Sequence, residues 1–215
     1  MWKRLSVLGV AFACALAALP VGSALADTTI GQTGGGGAGF DCVREIDSDT
    51  SYVVPAGGGT VTSFSFQSIS ANAGEQVDFL ILRPTGGSNY TVVGRTGLES
   101  LAGSGSVETF PADIPVQAGD LLGIYSSVLI NCRRINSGPG TQITTSSSSD
   151  PNVGDSIPIP FIAPGNDVNE SANLAPPVPT SKDQCKNGGW QQLVDDHGQP
   201  FRNQGQCVAW VNHNT

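Results

Sequence analysis

The side chains that do most enzymatic proton transfer are nearly missing from this chain. Its two histidines, His197 and His213, both lie close to the C-terminus. A serine nucleophile needs an imidazole within hydrogen-bond reach, and no G-x-S-x-G elbow occurs to strain a serine into position. Asp195-Asp196-His197 has the acids to orient an imidazole, but it runs directly into Gly198 and Pro200 and reads as a solvated turn. Glycoside hydrolysis takes two carboxylates about 5 to 9 Å apart across a cleft. Glu75, Asp78, Glu99 and Glu108 are candidates by type, yet each reads as a solvated strand or turn residue. Neither H-E-x-x-H nor C-x-x-C is present, so no zinc site is expected. Asp47-Ser48-Asp49-Thr50-Ser51 offers alternating oxygens but lacks the glycine and the distal glutamate of an EF-hand loop. No catalytic set, metal or cofactor is expected, and recognition is the chemistry left. Its best instruments are Trp190 and Trp210, large rigid rings near the cationic Lys182 and Lys186. The same two rings would also serve as a miniature core for a short tail.

The compartment follows from the other end of the chain. Met1 to Arg4 is a basic n-region, Leu5 to Leu19 an uncharged run, and Ala24-Leu25-Ala26 supplies small residues for signal peptidase. Residues 1–26 therefore read as a cleavable signal peptide, with the mature protein starting at Asp27 and released as a secreted, extracellular chain. The run is too short to span a bilayer comfortably, and no second one of that length follows, so no membrane insertion is expected after cleavage. Cys14 sits inside this run after Ala-Phe-Ala, where bulky Phe12 spoils a lipobox.

Cleavage removes Lys3 and Arg4 while all 18 acids remain, taking the net charge from −8 to −10. Such a surface repels phosphate backbones, so nucleic acid is not an expected partner. Four cysteines survive: Cys42, Cys132, Cys185 and Cys207. An even count outside the cell reads as disulfides, with three pairings open on sequence alone. A proline-rich stretch separates the first two from the last two, which favours Cys42–Cys132 and Cys185–Cys207. On the chain-entropy model these closures stabilise by roughly 4 and roughly 3 kcal/mol.

These side chains must be positioned by strands. Residues 27–39 are Thr- and Gly-rich and read as a flexible lead. Their Gly34 to Gly39 fits G-x-G-x-x-G in form only, without the flanking strand and helix of a dinucleotide site. From Phe40 the period is two. GTVTSFSFQSIS places Thr62, Phe64 and Phe66 on one face, and VDFLILR (Val77–Arg83) reads as a central strand. The PTGGS turn (84–88) returns it into YTVVGR (90–95) as a hairpin. Val107–Phe110, Ile114–Val116, Leu121–Ile130, Ser156–Ile162 and Val168–Leu174 read as further strands, with Thr144–Ser149 a loop. Pro111 and Pro115 mark an interruption or an edge. No convincing amphipathic helix falls in residues 40–175, so this region is expected to be an antiparallel, jelly-roll-like β-sandwich, making the chain mainly β. Residues 176–180 form a stiff proline linker that would hold the tail away from the sandwich. Residues 181–215 are a disulfide-stapled, partly helical module. Within it, Ser181 to Gln184 reads as a capping box, Asn187-Gly188 as a helix stop, and Pro200 as the opening of a second helix.

Two passages resemble secreted bacterial proteins, many actinobacterial. VDFLILRPTGGSNYTVVGRT with FPADIPVQAGDLLGIY resembles their uncharacterised β-sandwich, and CKNGGWQQLVDDHGQPFRNQGQCVAWV is similar to a recurring C-terminal segment of such proteins. The resemblance implies origin and architecture, with no activity attached. The expected function is that of a non-catalytic binding or interaction protein acting on extracellular glycan, cell wall or another protein. The rivals are a carboxylate-based polysaccharide hydrolase and a structural surface protein.

Overall fold

The computed structural model describes residues 27–34, 41–47, 49–135, 141–145, 149–158, 161–164 and 166–215. Residues 1–26, where a signal peptide with Cys14 is expected, Gly35–Gly39 of the glycine run, and the side chain of Cys42 lie outside that description. Two antiparallel sheets carry the chain. The first has the order β1 (Thr28–Gln32), β13 (Glu170–Ala175), β3 (Gly59–Gln67), β6 (Val107–Val116). The second runs β10 (Ser156–Pro158), β5 (Asn89–Ser100), β4 (Gln76–Gly86), β7 (Leu121–Asn131), β2 (Asp41–Asp47), β9 (Thr141–Thr145), β11 (Phe161–Pro164). A small ribbon joins β8 (Arg133–Ile135) to β12 (Asn166–Val168). The chain passes between the two sheets repeatedly, which is the sandwich habit its short strands and frequent turns call for.

Alternation explains the core. Phe64 and Phe66 of β3 point at Val77, Phe79 and Ile81 of β4, and all five are fully buried. Phe79 stacks on Phe64 with centroids 5.1 Å apart and meets Phe110 of β6 at 5.2 Å. Thr62 was expected on this aromatic face and is instead exposed. A register shift between Val61 and Ser63 resets the phase, so Val61 takes the buried place. Burial on both faces makes β4 the central strand its apolar run implied. Leu80 and Leu82 point the other way, into a second cluster with Tyr90, Val92, Tyr125 and Ile157.

Several boundaries differ from the sequence reading. The lead at 27–39 contains a strand: Thr28–Gln32 pairs along its length with β13 as a sheet edge, with the β-branched Thr28, Thr29 and Ile30 suited to it. Val107 to Val116 is one strand and not two. It tolerates Pro111 and Pro115 because β6 is the other edge of that sheet, where a missing donor costs no ladder bond. The hairpin strands reach further than expected, leaving only Gly87 and Ser88 in the turn. The loop expected at 144–149 begins instead inside β9, and the expected strand at 156–162 is divided between β10 and β11.

Cys185 and Cys207 are joined, and both are buried. Cys132 is also disulfide-bonded and buried. The pairing of β2 with β7 sets Cys42 opposite Ile130, two residues from Cys132.

Candidate functional site

The tail forms its own small core, in which Leu193, Phe201 and Val211 close around the Cys185–Cys207 bridge. The capping box at Ser181 does not open a helix. Residues 181–189 form successive turns, in which amides such as those of Gln184, Cys185 and Lys186 bond the carbonyl three residues back. The Gln half of the box is nonetheless made, since Gln184 Oε1 accepts from Thr180 N at 2.7 Å and Ser181 N at 2.9 Å. Asn187 (φ 52°) and Gly188 (φ 86°) then supply the left-handed turn that their types favour. The helix α1 spans Gln204–Asn214 and starts later than Pro200 suggested, because Asn203 caps it by accepting from Gln206 N at 2.9 Å. Pro200 sits instead in a bridge to Val194.

Trp190 and Trp210 lie at the rim of this core, each half-buried. Trp210 meets Phe201 edge to face, with centroids 6.1 Å apart. Half-burial alone is ordinary for tryptophan. What distinguishes these two is that smaller residues fill the centre while the two largest rings keep part of their surface in water.

The proline linker does not hold the module away. Val194 N donates to Pro177 O at 3.2 Å, and a β-carbon placed on Gly57, in the loop before β3, would come within 3.0 Å of Gln192 Oε1. Seating the tail on this loop leaves a groove of about 180 Å³. It is lined by Leu174, Pro176 and Pro177, by Pro55 and Ala56 of the loop, by Gln191 and Gln192 of the tail, and by Thr28 of β1. None of the described residues lining it carries a charge.

The acids of the sandwich behave differently from their sequence reading. Asp78 is fully buried, not solvated. Its Oδ2 lies 2.5 Å from Arg95 Nη2, and its Oδ1 accepts from Gly97 N at 2.9 Å and Thr96 Oγ1 at 3.2 Å. Burial pushes its carboxyl above the usual aspartate value, against the opposing pull of Arg95. The same guanidinium holds Asp150 through two contacts of 2.8 and 2.9 Å. Arg83 makes a bidentate pair with buried Asp120, at 2.8 and 2.9 Å. Glu108 accepts from Ser68 Oγ and from Ala102 N. These carboxylates are engaged by neighbouring donors, and Asp78 is enclosed beyond the reach of a polymer.

Asp195, Asp196 and His197 do converge, with ligand atoms within 4.8 Å of one another. Asp195 Oδ1 accepts from His197 N and Gln199 N at 2.9 and 2.8 Å, which accounts for the cluster as an exposed turn. Asp49 likewise caps a short 3-10 turn by accepting from Ser51 N.

Sequence reasoning placed Trp190 and Trp210 in a stapled tail but missed the groove, whose walls come from four stretches distant in the chain. No protein-family model, no curated protein and no solved structure matches this protein. The reading of the site therefore rests on its own geometry. Among the described residues no helix is long and apolar enough to cross a membrane.

Proposed function

We propose that this is a secreted, non-catalytic binding protein that contacts extracellular glycan, cell wall or a protein partner through its C-terminal module. The observation that carries the reading is the placement of Trp190 and Trp210, part-exposed, at the rim of a disulfide-stapled core, in a module whose Gln191 and Gln192 also line an uncharged groove. Partly open tryptophans give large contact area at small entropic cost, as binding hot spots require. Ligand sites also favour the seam between two packed units, where walls from both converge.

The test is capture of the full mature protein on whole cells, isolated peptidoglycan and a glycan panel, with Trp190→Ala and Trp210→Ala beside it. Each substitution is expected to weaken capture at least tenfold while the Cys185–Cys207 bridge stays oxidised. Unchanged capture by both variants would refute the role given to the tail.

A further inference from the structure

We infer that the groove between the sandwich loop at Pro55–Gly58 and the tail accepts one pyranose ring of an uncharged polysaccharide. Gln191 and Gln192 supply the hydrogen bonds and the prolines supply the apolar walls. This rests on the binding function proposed above and names the ligand class for it.

Three observations converge on that class. The first is charge: no described lining residue is ionisable, and the mature chain is strongly acidic, so neither a phosphate nor a polyuronate finds a counter-charge there. The second is the mixture of surfaces. A pyranose presents hydroxyls around its edge and C–H groups on its faces. The groove matches this with two primary amides, each offering two donors and an acceptor, against the flat hydrocarbon surfaces of Pro55, Pro176 and Pro177. The third is preparation. A β-carbon on Gly57 would meet the amide oxygen of Gln192 at 3.0 Å, a tight contact that the end of this flexible side chain could relieve by a small shift, so Gln192 lies directly beside the loop. Gly57 itself has φ 101°, a conformation glycine adopts at little cost. The loop and the tail thus lie side by side, and the amide of Gln192 stands at their seam before a ligand arrives.

The size sets a further limit. A volume of about 180 Å³ has room for a single ring, and neighbouring sugars would run out over the surface. Trp190 belongs to the same short turn as both glutamines, Gly189–Gln192, and is the nearest aromatic in sequence to receive the next ring.

The experiment is titration calorimetry of the full mature chain, disulfides intact, with four probes: cellotetraose, xylotetraose, chitotetraose and tetragalacturonate. At least one neutral tetrasaccharide is expected to bind and the anionic one is not. Gln191→Ala and Gln192→Ala should each cost at least tenfold in affinity without moving the thermal midpoint, because both side chains are exposed and outside the tail's core. Gln192→Glu, nearly the same shape but without the donors, should lose as much. Preferential binding of tetragalacturonate would overturn the inference. So would wild-type affinity in both glutamine variants when Trp190→Ala and Trp210→Ala abolish binding, an outcome that leaves the tail as contact site and removes only the groove. Capture on cells or by a protein with no affinity for any neutral probe overturns the ligand class alone. Failure of every capture overturns the proposed function as well.

Discussion

Replacing Arg95 with methionine should destabilise the sandwich by about 3–5 kcal/mol at pH 7, the range found when one partner of a buried ion pair is removed. The site shows why the high end applies to one acid and not the other. Arg95 is 18% exposed and serves both Asp78, at 0%, and Asp150, at 36%. Asp150 regains water when the guanidinium goes and contributes no more than an exposed pair, about 1 kcal/mol or less. Asp78 has no such recourse, and it retains only Gly97 N and Thr96 Oγ1. For a domain of this size the loss corresponds to a fall of about 6–20 °C in the thermal midpoint. The dependence on pH has a definite sign. Burial already raises the Asp78 carboxyl above its unfolded value, so the folded state binds this proton more readily, and the group's contribution to stability falls as pH rises through its folded value. Without Arg95 that value moves further up. The gap between variant and wild type should therefore narrow as pH is lowered and be widest near neutrality. Urea denaturation across pH 4 to 8 measures it, with Asp78→Asn/Arg95→Met recovering most of the loss. A penalty at pH 7 below about 1 kcal/mol, or one that grows on acidification, would refute the account of Asp78 as a charge neutralised in place.

Three further outcomes follow from the same reasoning. Intact mass of the exported protein should correspond to a chain beginning at Asp27, and retention of residues 1–26 or a lipid on Cys14 would contradict the signal-peptide reading. Non-reducing peptide mapping should link Cys42 to Cys132 as well as Cys185 to Cys207, and a Cys132–Cys185 peptide would break the proposed division of the chain. Asn203→Ala removes the acceptor for Gln206 N and should cost the tail about 1 kcal/mol, seen as faster amide exchange in α1 with the sandwich unchanged.

How much of this was legible in the sequence depended on whether the determining contact was local. The hairpin from Val77 to Arg95 could be read because alternation and turn chemistry lie within twenty residues. Thr62 was misplaced because a bulge at Val61/Ser63 is fixed by the partner strand β6 and leaves no mark on the period. β1 was missed because its strand-forming Thr28, Thr29 and Ile30 run into a glycine-rich stretch that reads as flexible, and their partner β13 lies more than a hundred residues later. Asp78 could have been found. A carboxylate in the middle of an apolar strand asks for a cation, and the register of that same hairpin sets Arg95 opposite Leu80, two residues away. The groove could not, since Thr28, Pro55, Leu174, Pro177 and Gln192 meet only after the sheets close.

The distribution of polar chemistry is why we propose recognition at the tail and not on the sandwich. Within the sandwich, Arg83 and Arg95 are committed to Asp120, Asp78 and Asp150, and those carboxylates are committed in return. Such pairs fix the geometry of a fold and have little left to offer a ligand, because engaging one would strand its partner in a dry site. In the tail the balance reverses. Gln191 and Gln192 are exposed, and the small core leaves both tryptophans half open. A module of about 35 residues can bury little, so its staple carries stability that a larger unit would draw from packing. Under the proposed function, the water-facing parts of its two tryptophans, which otherwise pack on that core, are what a partner would meet. Pro176 and Pro177 of the linker line the uncharged groove together with Gln191 and Gln192 of the tail, Pro55 and Ala56 of the loop before β3, and Thr28 and Leu174, which pair where β1 meets β13.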